Sequence, residues 1–273
     1  MKIAINQWCF PDGTALDRVF GASSRAGFQG VELNLCGPGQ VGLTMDSSAD
    51  DARAIKRLAD SHGIELKSLS TGLLWDAPLS SPDPAVRENG RSIVRKQLEL
   101  ASVMEVDAVL VVPGAVTKDV SYEECYQRSQ HEVAELAKQA KQWGVKIGIE
   151  NVWNRFLLSP LDMLRYIDEL DSDWVGVYFD VGNVLQFGFP EQWIRYLGKR
   201  IVKVHVKDFS MKIGNIHGFV PLLAGDVDWP AVRDALMGVG YDDYLTAELS
   251  PYGAYPDQLA IDTARQMTAI VKG

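Results

Sequence analysis

The sequence predicts an α/β protein, a single-domain (β/α)8 TIM barrel spanning residues 1–273, and three observations carry that prediction. Short apolar runs alternate with longer amphipathic stretches eight times. No linker or shift in composition interrupts the alternation, and 273 residues lies near the ~250 typical of one closed barrel. Four of the runs in the second half, Lys146–Asn151, Val175–Asp180, Ile201–His205 and Tyr244–Glu248, reach a Glu, Asp or His as the apolar stretch stops. In a parallel barrel the carboxyl ends of all strands open on one face, so Glu150, Asp180, His205 and Glu248 are expected to converge there.

Each element has its own signal. Lys2–Trp8 reads as the first strand and Thr14–Ala26 as a helix closed by Gly27. Gly30–Asn34 is the second strand, and Asp50–Ser61 is an amphipathic helix with His62-Gly63 as its stop. Glu65–Thr71 is the third strand. A polar loop with Pro78, Pro82 and Pro84 leads into the helix Ala85–Met104. Asp107–Val112 is almost continuously apolar, as expected for a strand covered on both faces, and Pro113-Gly114 ends it. Tyr122–Trp143 is a long helix stopped by Gly144. The fifth strand ends at Glu150, and Ser159-Pro160 caps and starts a helix running to Leu170. The sixth strand ends at Asp180, Pro190–Leu197 is a short helix, and the seventh strand ends at His205. Lys207–Asp228, without strong periodicity, reads as a loop. Trp229–Gly238 is a helix, the eighth strand ends at Glu248, and Asp257–Val271 is the closing helix.

Composition narrows the function. With 36 acidic against 27 basic residues the net charge is -9, and no basic cluster relieves it. Phosphate contacts supply most nucleic-acid affinity, so a nucleic-acid partner is not expected. No apolar run approaches the ~18 residues of a membrane helix, and Met1-Lys2-Ile3 leads straight into a strand, so the reading is a cytoplasmic protein without a membrane partner. Cys9, Cys36 and Cys125 form no close pair, which fits a reducing compartment and argues against a disulfide framework or a thiolate zinc cage.

The four strand-end residues offer three hard oxygens and one nitrogen. That set suits Mn²⁺ or Mg²⁺, with Co²⁺ and Zn²⁺ as alternatives. Any one of them taken singly reads more simply as a polar group satisfied by hydrogen bonds. Four converging charges with no cation among them would repel strongly.

The runs Gly148-Ile-Glu150-Asn151, Tyr178-Phe-Asp180-Val-Gly-Asn183, Val204-His205-Val206-Lys207-Asp208 and Thr246-Ala-Glu248 resemble the sugar phosphate isomerase/epimerase family. This is the xylose isomerase-like barrel superfamily that includes ketose 3-epimerases. The resemblance extends over essentially the whole chain, including Gly225-Asp226-Val227-Asp228-Trp229. It implies that Glu150, Asp180, His205 and Glu248 hold one divalent metal, Mn²⁺ first among the candidates. It also implies that Glu150 and Glu248 act as acid and base on a ketose or ketose phosphate. The chemistry is consistent: a metal beside the carbonyl and a neighbouring hydroxyl lowers the cost of an enediolate, one Glu removes a proton, and the other returns it from the opposite face. Dimers or tetramers are common among such barrels by the same resemblance.

Other residues carry paired readings. Trp8 and Glu32 end strands one and two and are expected to line the pocket. Arg155 either holds a substrate hydroxyl or phosphate or makes a surface ion pair. Asn183 resembles the Asp-x-Gly-Asn form of phosphopentulose epimerases, which favours a phosphorylated or otherwise different substrate. Lys207 either contacts substrate or joins a structural ion pair. Asp208 either orients His205 or closes a local ion pair. His217, on the loop over the barrel mouth, either covers substrate or is an ordinary loop histidine. Cys9 and Cys36 have no sign of a nucleophilic role, and His62 and His131 read as helix residues without one.

Three further functions fit the same scaffold. A lyase acting on a keto-inositol or a keto-glycoside would begin with the same proton abstraction. An endonuclease IV-like enzyme would need many histidines, and this chain has four. A non-catalytic sugar-binding protein would leave two glutamates without a chemical reason.

Overall fold

The computed structural model describes residues 1–273. Its first strand, β1 (Lys2–Asn6), is followed by β2 (Gly30–Asn34), β3 (Glu65–Ser70), β4 (Ala108–Val111), β5 (Lys146–Glu150), β6 (Val175–Asp180) and β7 (Ile201–Val206). A two-residue pair, β8 (Asp208–Phe209) and β9 (Phe219–Val220), comes next, and β10 (Tyr244–Ala247) is last. Eight of these strands close a parallel barrel in the order β1-β10-β7-β6-β5-β4-β3-β2. The seam pairs the two ends of the sequence, with Lys2 beside Tyr244 and Ile5 beside Ala247.

The helices start and stop where their ends can be satisfied. They are α1 (Leu16–Ala26), α2 (Ala49–Ser61), α3 (Pro84–Val103), α4 (Tyr122–Trp143), α5 (Pro160–Glu169), the single turn α6 (Val181–Val184), α7 (Pro190–Leu197), α8 (Trp229–Gly238) and α9 (Pro256–Lys272). Ser48 with Asp51, and Ser121 with Glu124, form reciprocal capping boxes on α2 and α4. Ser159 accepts from the Asp162 N–H and Pro160 opens α5 with its φ already helical. Gly27 and Gly144 end α1 and α4 in the left-handed conformation. No helix is long and apolar enough to cross a membrane.

Alternation along the strands sorts side chains into two compartments. Outward residues such as Val109, Val111, Ile147, Ile149 and Val177 join the main apolar core beneath the helices. Leu110, Val112 and Tyr178 form a separate small cluster, with the opposite parity. The rest of the interior is polar to an unusual degree, because Asn6, Glu32, Ser68 and His205 are all buried there. At the opposite end, Lys203 is 2% exposed and sits between Asp107, 2.8 Å away, and Asp243.

Two expectations need correction. The first strand stops at Asn6, short of Trp8, because the Asn6 side chain accepts from the Trp8 N–H at 2.6 Å and turns the chain into a 3-10 segment, Gln7–Cys9. The stretch 207–228 is more than a loop: β8 and β9 pair antiparallel, Asp208 with Val220 and Phe209 with Phe219, and fold a small ribbon over the barrel mouth. Its root is Asp208, fully buried, which accepts from the N–H groups of Phe209 (2.9 Å) and Val227 (3.3 Å) and from Trp229 Nε1 (3.1 Å). It therefore neither orients His205 nor closes an ion pair.

Gly225 is the residue that lets this anchor form. A Cβ there would lie 2.2 Å from Asp208 Oδ1 and 2.7 Å from the Phe209 nitrogen. Gly225→Ala is thus expected to cost about 1–3 kcal/mol by overpacking and to lower Tm by several degrees, roughly 2–4 °C per kcal/mol. Calorimetry checks this, and an unchanged Tm would show that the ribbon is not held by Asp208.

Candidate metal centre

Four side chains from four strand ends meet at the floor of the mouth. Glu150 is the last residue of β5, Asp180 the last of β6, His205 lies in β7, and Glu248 follows β10 directly. One donor atom from each falls within 4.8 Å of all the others. His205 Nδ1 stands 2.8 Å from Glu248 Oε2, 3.3 Å from Glu150 Oε1 and 4.0 Å from Asp180 Oδ2.

Local sequence explains the convergence. The Asn151 side chain spans the ends of β5 and β6, donating to the Asp180 carbonyl at 2.8 Å and accepting from the Asp180 N–H at 2.9 Å. Asp180 Oδ1 then caps the turn α6 through the Asn183 N–H at 2.7 Å. A Cβ on Gly182 would meet Lys207 Cβ at 2.7 Å and its carbonyl oxygen at 2.8 Å, so the Asp-x-Gly-Asn sequence lets α6 pass flush against the end of β7. Lys207 is brought to the centre as a result. Its Nζ lies 3.1 Å from both Asp180 Oδ2 and Glu248 Oε2.

Charge is the dominant physical fact here. Glu150, Asp180, Glu248 and the neighbouring Glu32 are four carboxylates, against one ammonium at Lys207 and the imidazole of His205. Burial pushes the Glu150 carboxyl up to about 7, against the pull of His205, and the Glu248 charge adds to the rise. Burial also acts to raise Glu248, but the Lys207 and His205 charges outweigh it and hold that carboxyl at about 2. The two glutamates are thereby driven apart in acidity, the separation that acid–base pairs exploit. Burial disfavours charge on His205, yet Glu32 and Glu248 raise its pKa well above the ordinary histidine value. Lys207 is buried too, and Asp180, Glu248 and Glu150 shift it upward, so it stays an ammonium.

The donor set fits a divalent cation. Three carboxylates and one imidazole nitrogen match the ligands hard and borderline divalent metals take. Asp180 Oδ2 is buried and makes no hydrogen bond; Lys207 faces it as a charge partner only. A doubly positive ion would offset most of the excess negative charge.

Above the centre opens a cavity of about 880 Å³. Trp8, Trp75, Trp153, Phe219 and Tyr252 wall it, with Glu150, Asn183, Lys207, His217 and Glu248 as polar groups. Trp153 packs against both Phe209 and Phe219, at centroid separations of 5.4 and 5.3 Å, which ties the cavity wall to the ribbon. Trp8, Asn183, Lys207 and His217 all line this cavity. The Asn183 amide is already committed, donating to the Asn151 carbonyl at 3.0 Å.

Two expected pocket residues lie elsewhere. Glu32 is buried in the barrel interior beneath the centre and hydrogen-bonded to His205 Nε2; it does not face the cavity. Arg155 is exposed and outside the cavity lining, because Asn154 pins the chain through the Gly114 carbonyl and the Phe156 N–H while Arg155 turns out at φ 61°. Cys9 is buried and its thiol is pushed up to about 12 by burial, so it stays protonated and poorly nucleophilic. His62 contacts Asp17 at 2.8 Å on the helical surface, away from the site. Sequence reasoning missed Ser68 and Tyr178, which bind Glu32 inside the barrel. It also missed the aromatic wall; Trp75 ends a 3-10 turn, Leu73–Trp75, and Tyr252 sits in a loop, and no local pattern announces the approach of either to the mouth.

Comparison with known proteins identifies the family and the fold. A family model described as xylose isomerase-like TIM barrel matches residues 20–269. An L-ribulose 3-epimerase from Mesorhizobium japonicum is 28% identical over 281 residues, covering 98% of this chain and 86% of that protein. An L-ribulose-5-phosphate 3-epimerase, UlaE, from Escherichia coli is 25% identical over 216 residues, 79% of this chain and 75% of its own length. A solved structure described as a D-tagatose 3-epimerase-like protein superposes with a TM-score of 0.84 at 19% identity, covering all of this chain and 97% of the other.

Proposed function

The chain belongs to the xylose isomerase-like TIM barrel family, and from that premise we propose that it is a divalent-metal-dependent 3-epimerase of a free ketose. The observation that carries the reading is the meeting of three carboxylates and an imidazole within 4.8 Å at the floor of an aromatic-walled cavity. Glu150, Asp180, His205 and Glu248 would hold the cation, with Mn²⁺ the first choice for this oxygen-rich set. When bound, the cation supplies positive charge opposite oxygens of the sugar that become more negative as a C–H bond beside the carbonyl ionises.

The chain's own groups divide the remaining work. Glu150 ends β5 and Glu248 follows β10, three strands away around the barrel. One takes the proton from the carbon beside the carbonyl, and the other delivers a proton to the opposite face. Lys207, 3.1 Å from Glu248, keeps that carboxylate ionised and fixes its direction. The aromatic wall excludes water and offers flat apolar surface to the sugar's C–H faces. Free thiols at Cys9, Cys36 and Cys125 suit a reducing, cytoplasmic setting.

An unphosphorylated substrate is favoured by the cavity's charge. Its only cationic side chain is Lys207, already paired with Asp180 and Glu248, and Arg155 is not part of the lining. A phosphate would find no free guanidinium or ammonium there. This outweighs the likeness of Asn183 to the phosphopentulose form.

Solvent-deuterium exchange in Mn²⁺-loaded protein, followed by NMR over ketoses and their phosphates, tests the reading. Deuterium at C3 of a free ketose together with the C3 diastereomer is the expected result. Label at C1 or C2 would instead indicate aldose–ketose isomerisation. Turnover confined to phosphorylated sugars would overturn the substrate assignment. No exchange into any sugar would overturn the epimerase reading and send the search to keto-glycoside or keto-inositol lyase substrates.

A further inference from the structure

Glu32 is the most completely bound carboxylate in the molecule that faces neither solvent nor cavity. It is 1% exposed, inside the barrel. Its Oε1 lies 2.5 Å from His205 Nε2 and accepts from Asn6 Nδ2 at 2.5 Å; its Oε2 accepts from Ser68 Oγ at 2.5 Å and from the Tyr178 hydroxyl. Asn6 is on β1, Ser68 on β3, Tyr178 on β6 and His205 on β7, so four strands aim a polar group at one residue of β2. The Tyr178 ring also packs on the His205 ring, with centroids 4.4 Å apart. Room for it comes from Gly148, where a Cβ would lie 3.0 Å from Tyr178 Cβ.

Stability alone does not account for this arrangement. Barrel interiors are ordinarily filled by branched apolar residues, and replacing a buried ionic group by well-packed apolar ones is often neutral or stabilising. The arrangement does have a geometric result. An imidazole has two nitrogens, and a hydrogen bond at one decides what the other offers. Here Nε2 is committed to Glu32, while Nδ1 faces Glu150 and Glu248.

We propose that Glu32 is a positioning residue for the centre: it keeps the proton of His205 on Nε2, locks the ring's rotation, and so presents the Nδ1 lone pair to the cation. Ser68, Asn6 and Tyr178 in turn hold Glu32, with its second oxygen saturated so that only Oε1 is turned to the histidine. This inference rests on the metal reading above and adds to it the nitrogen used and the residue that selects it. The role is indirect, since Glu32 touches neither cavity nor substrate.

Two measurements test it. Isothermal titration of metal-free protein with Mn²⁺ compares wild type with Glu32→Gln and Tyr178→Phe, alongside the Tm of each metal-free protein. Glu32→Gln is expected to weaken Mn²⁺ binding by about 10–100-fold, as loss of such outer partners does, with no fall in metal-free Tm. Tyr178→Phe, which leaves the carboxylate in place but removes one of the two hydrogen bonds to its second oxygen, is expected to weaken binding by about 3–10-fold, the scale of one typical net hydrogen bond. A purely structural Glu32 would give the reverse, a lower Tm and unchanged affinity, and would overturn the proposal. The second measurement needs no variant: long-range ¹H–¹⁵N spectra of protein loaded with diamagnetic Zn²⁺, in which one of only four histidines must carry a protected Nε2–H. A proton found on Nδ1 of His205 would overturn the proposal even if Glu32→Gln fails to fold. Wild-type protein that binds no divalent cation would fail the metal reading itself, whereas cation binding that is indifferent to Glu32 fails this inference alone.

Discussion

Glu248→Gln and Glu150→Gln are each expected to lower the rate of epimerisation by about 10²–10⁴-fold, the range lost with a positioned general acid or base. The informative part is what survives. With one carboxylate ending β5 and the other following β10, each variant keeps one of them. Glu248→Gln should still exchange the C3 hydrogen of one ketose epimer with solvent deuterium without converting it, and Glu150→Gln should do the same with the other epimer. Glutamine keeps the size and an oxygen donor, so the assay is run at saturating Mn²⁺ to separate lost chemistry from weakened binding. Exchange into both epimers by a single variant would mean that one base serves both faces. Full activity in either variant would remove that residue from the mechanism.

Metal removal has the second large effect, and stability reports it independently of turnover. Chelation is expected to abolish epimerisation, and it would also return the centre to four carboxylates against one ammonium and one imidazole. A ligand that binds only the folded state stabilises it by about 2.7 kcal/mol at a free concentration 100 times its Kd. For a chain of this size, roughly 2–4 °C per kcal/mol, Mn²⁺ should then raise Tm by about 5–10 °C over the metal-free protein. Asp180→Asn separates the causes. It removes one negative charge that the cation would offset, so the metal-free Tm should hold or rise while the Mn²⁺-induced increment shrinks. An increment equal to that of wild type would take Asp180 out of the ligand set.

The barrel and the four convergent residues were legible because both are written in local pattern. Alternation of apolar runs needs no knowledge of partners, and a polar residue where a strand stops is visible one strand at a time. Gly27, Gly144 and Ser159-Pro160 marked helix ends for the same reason: each acts on its own turn. Glu32 was misplaced because its partner His205 lies 173 positions away. A strand end suggests a place at the mouth, whereas Glu32 lies two residues before the end of β2 and is buried in the interior below it. Arg155 failed on a backbone detail, a left-handed φ that a sequence of non-glycine residues does not signal. The ribbon within 207–228 escaped notice because two-residue strands are too short to show a period, and Asp208 holds them by contacts to Val227 and Trp229 across the loop.

The seam between β1 and β10 has a bearing on how the protein comes into being. Its pairings join the most distant parts of the sequence, so they carry the largest loop-closure cost and are expected late in folding. Glu248 follows β10 directly, and its N–H donates to the Val206 carbonyl on the neighbouring strand β7. During vectorial synthesis, three of the four donors are made long before the strand that brings the fourth. The strand that closes the ring is thus also the one that would complete the proposed donor set, so a cation bound by all four residues would mark a chain that has placed its last strand.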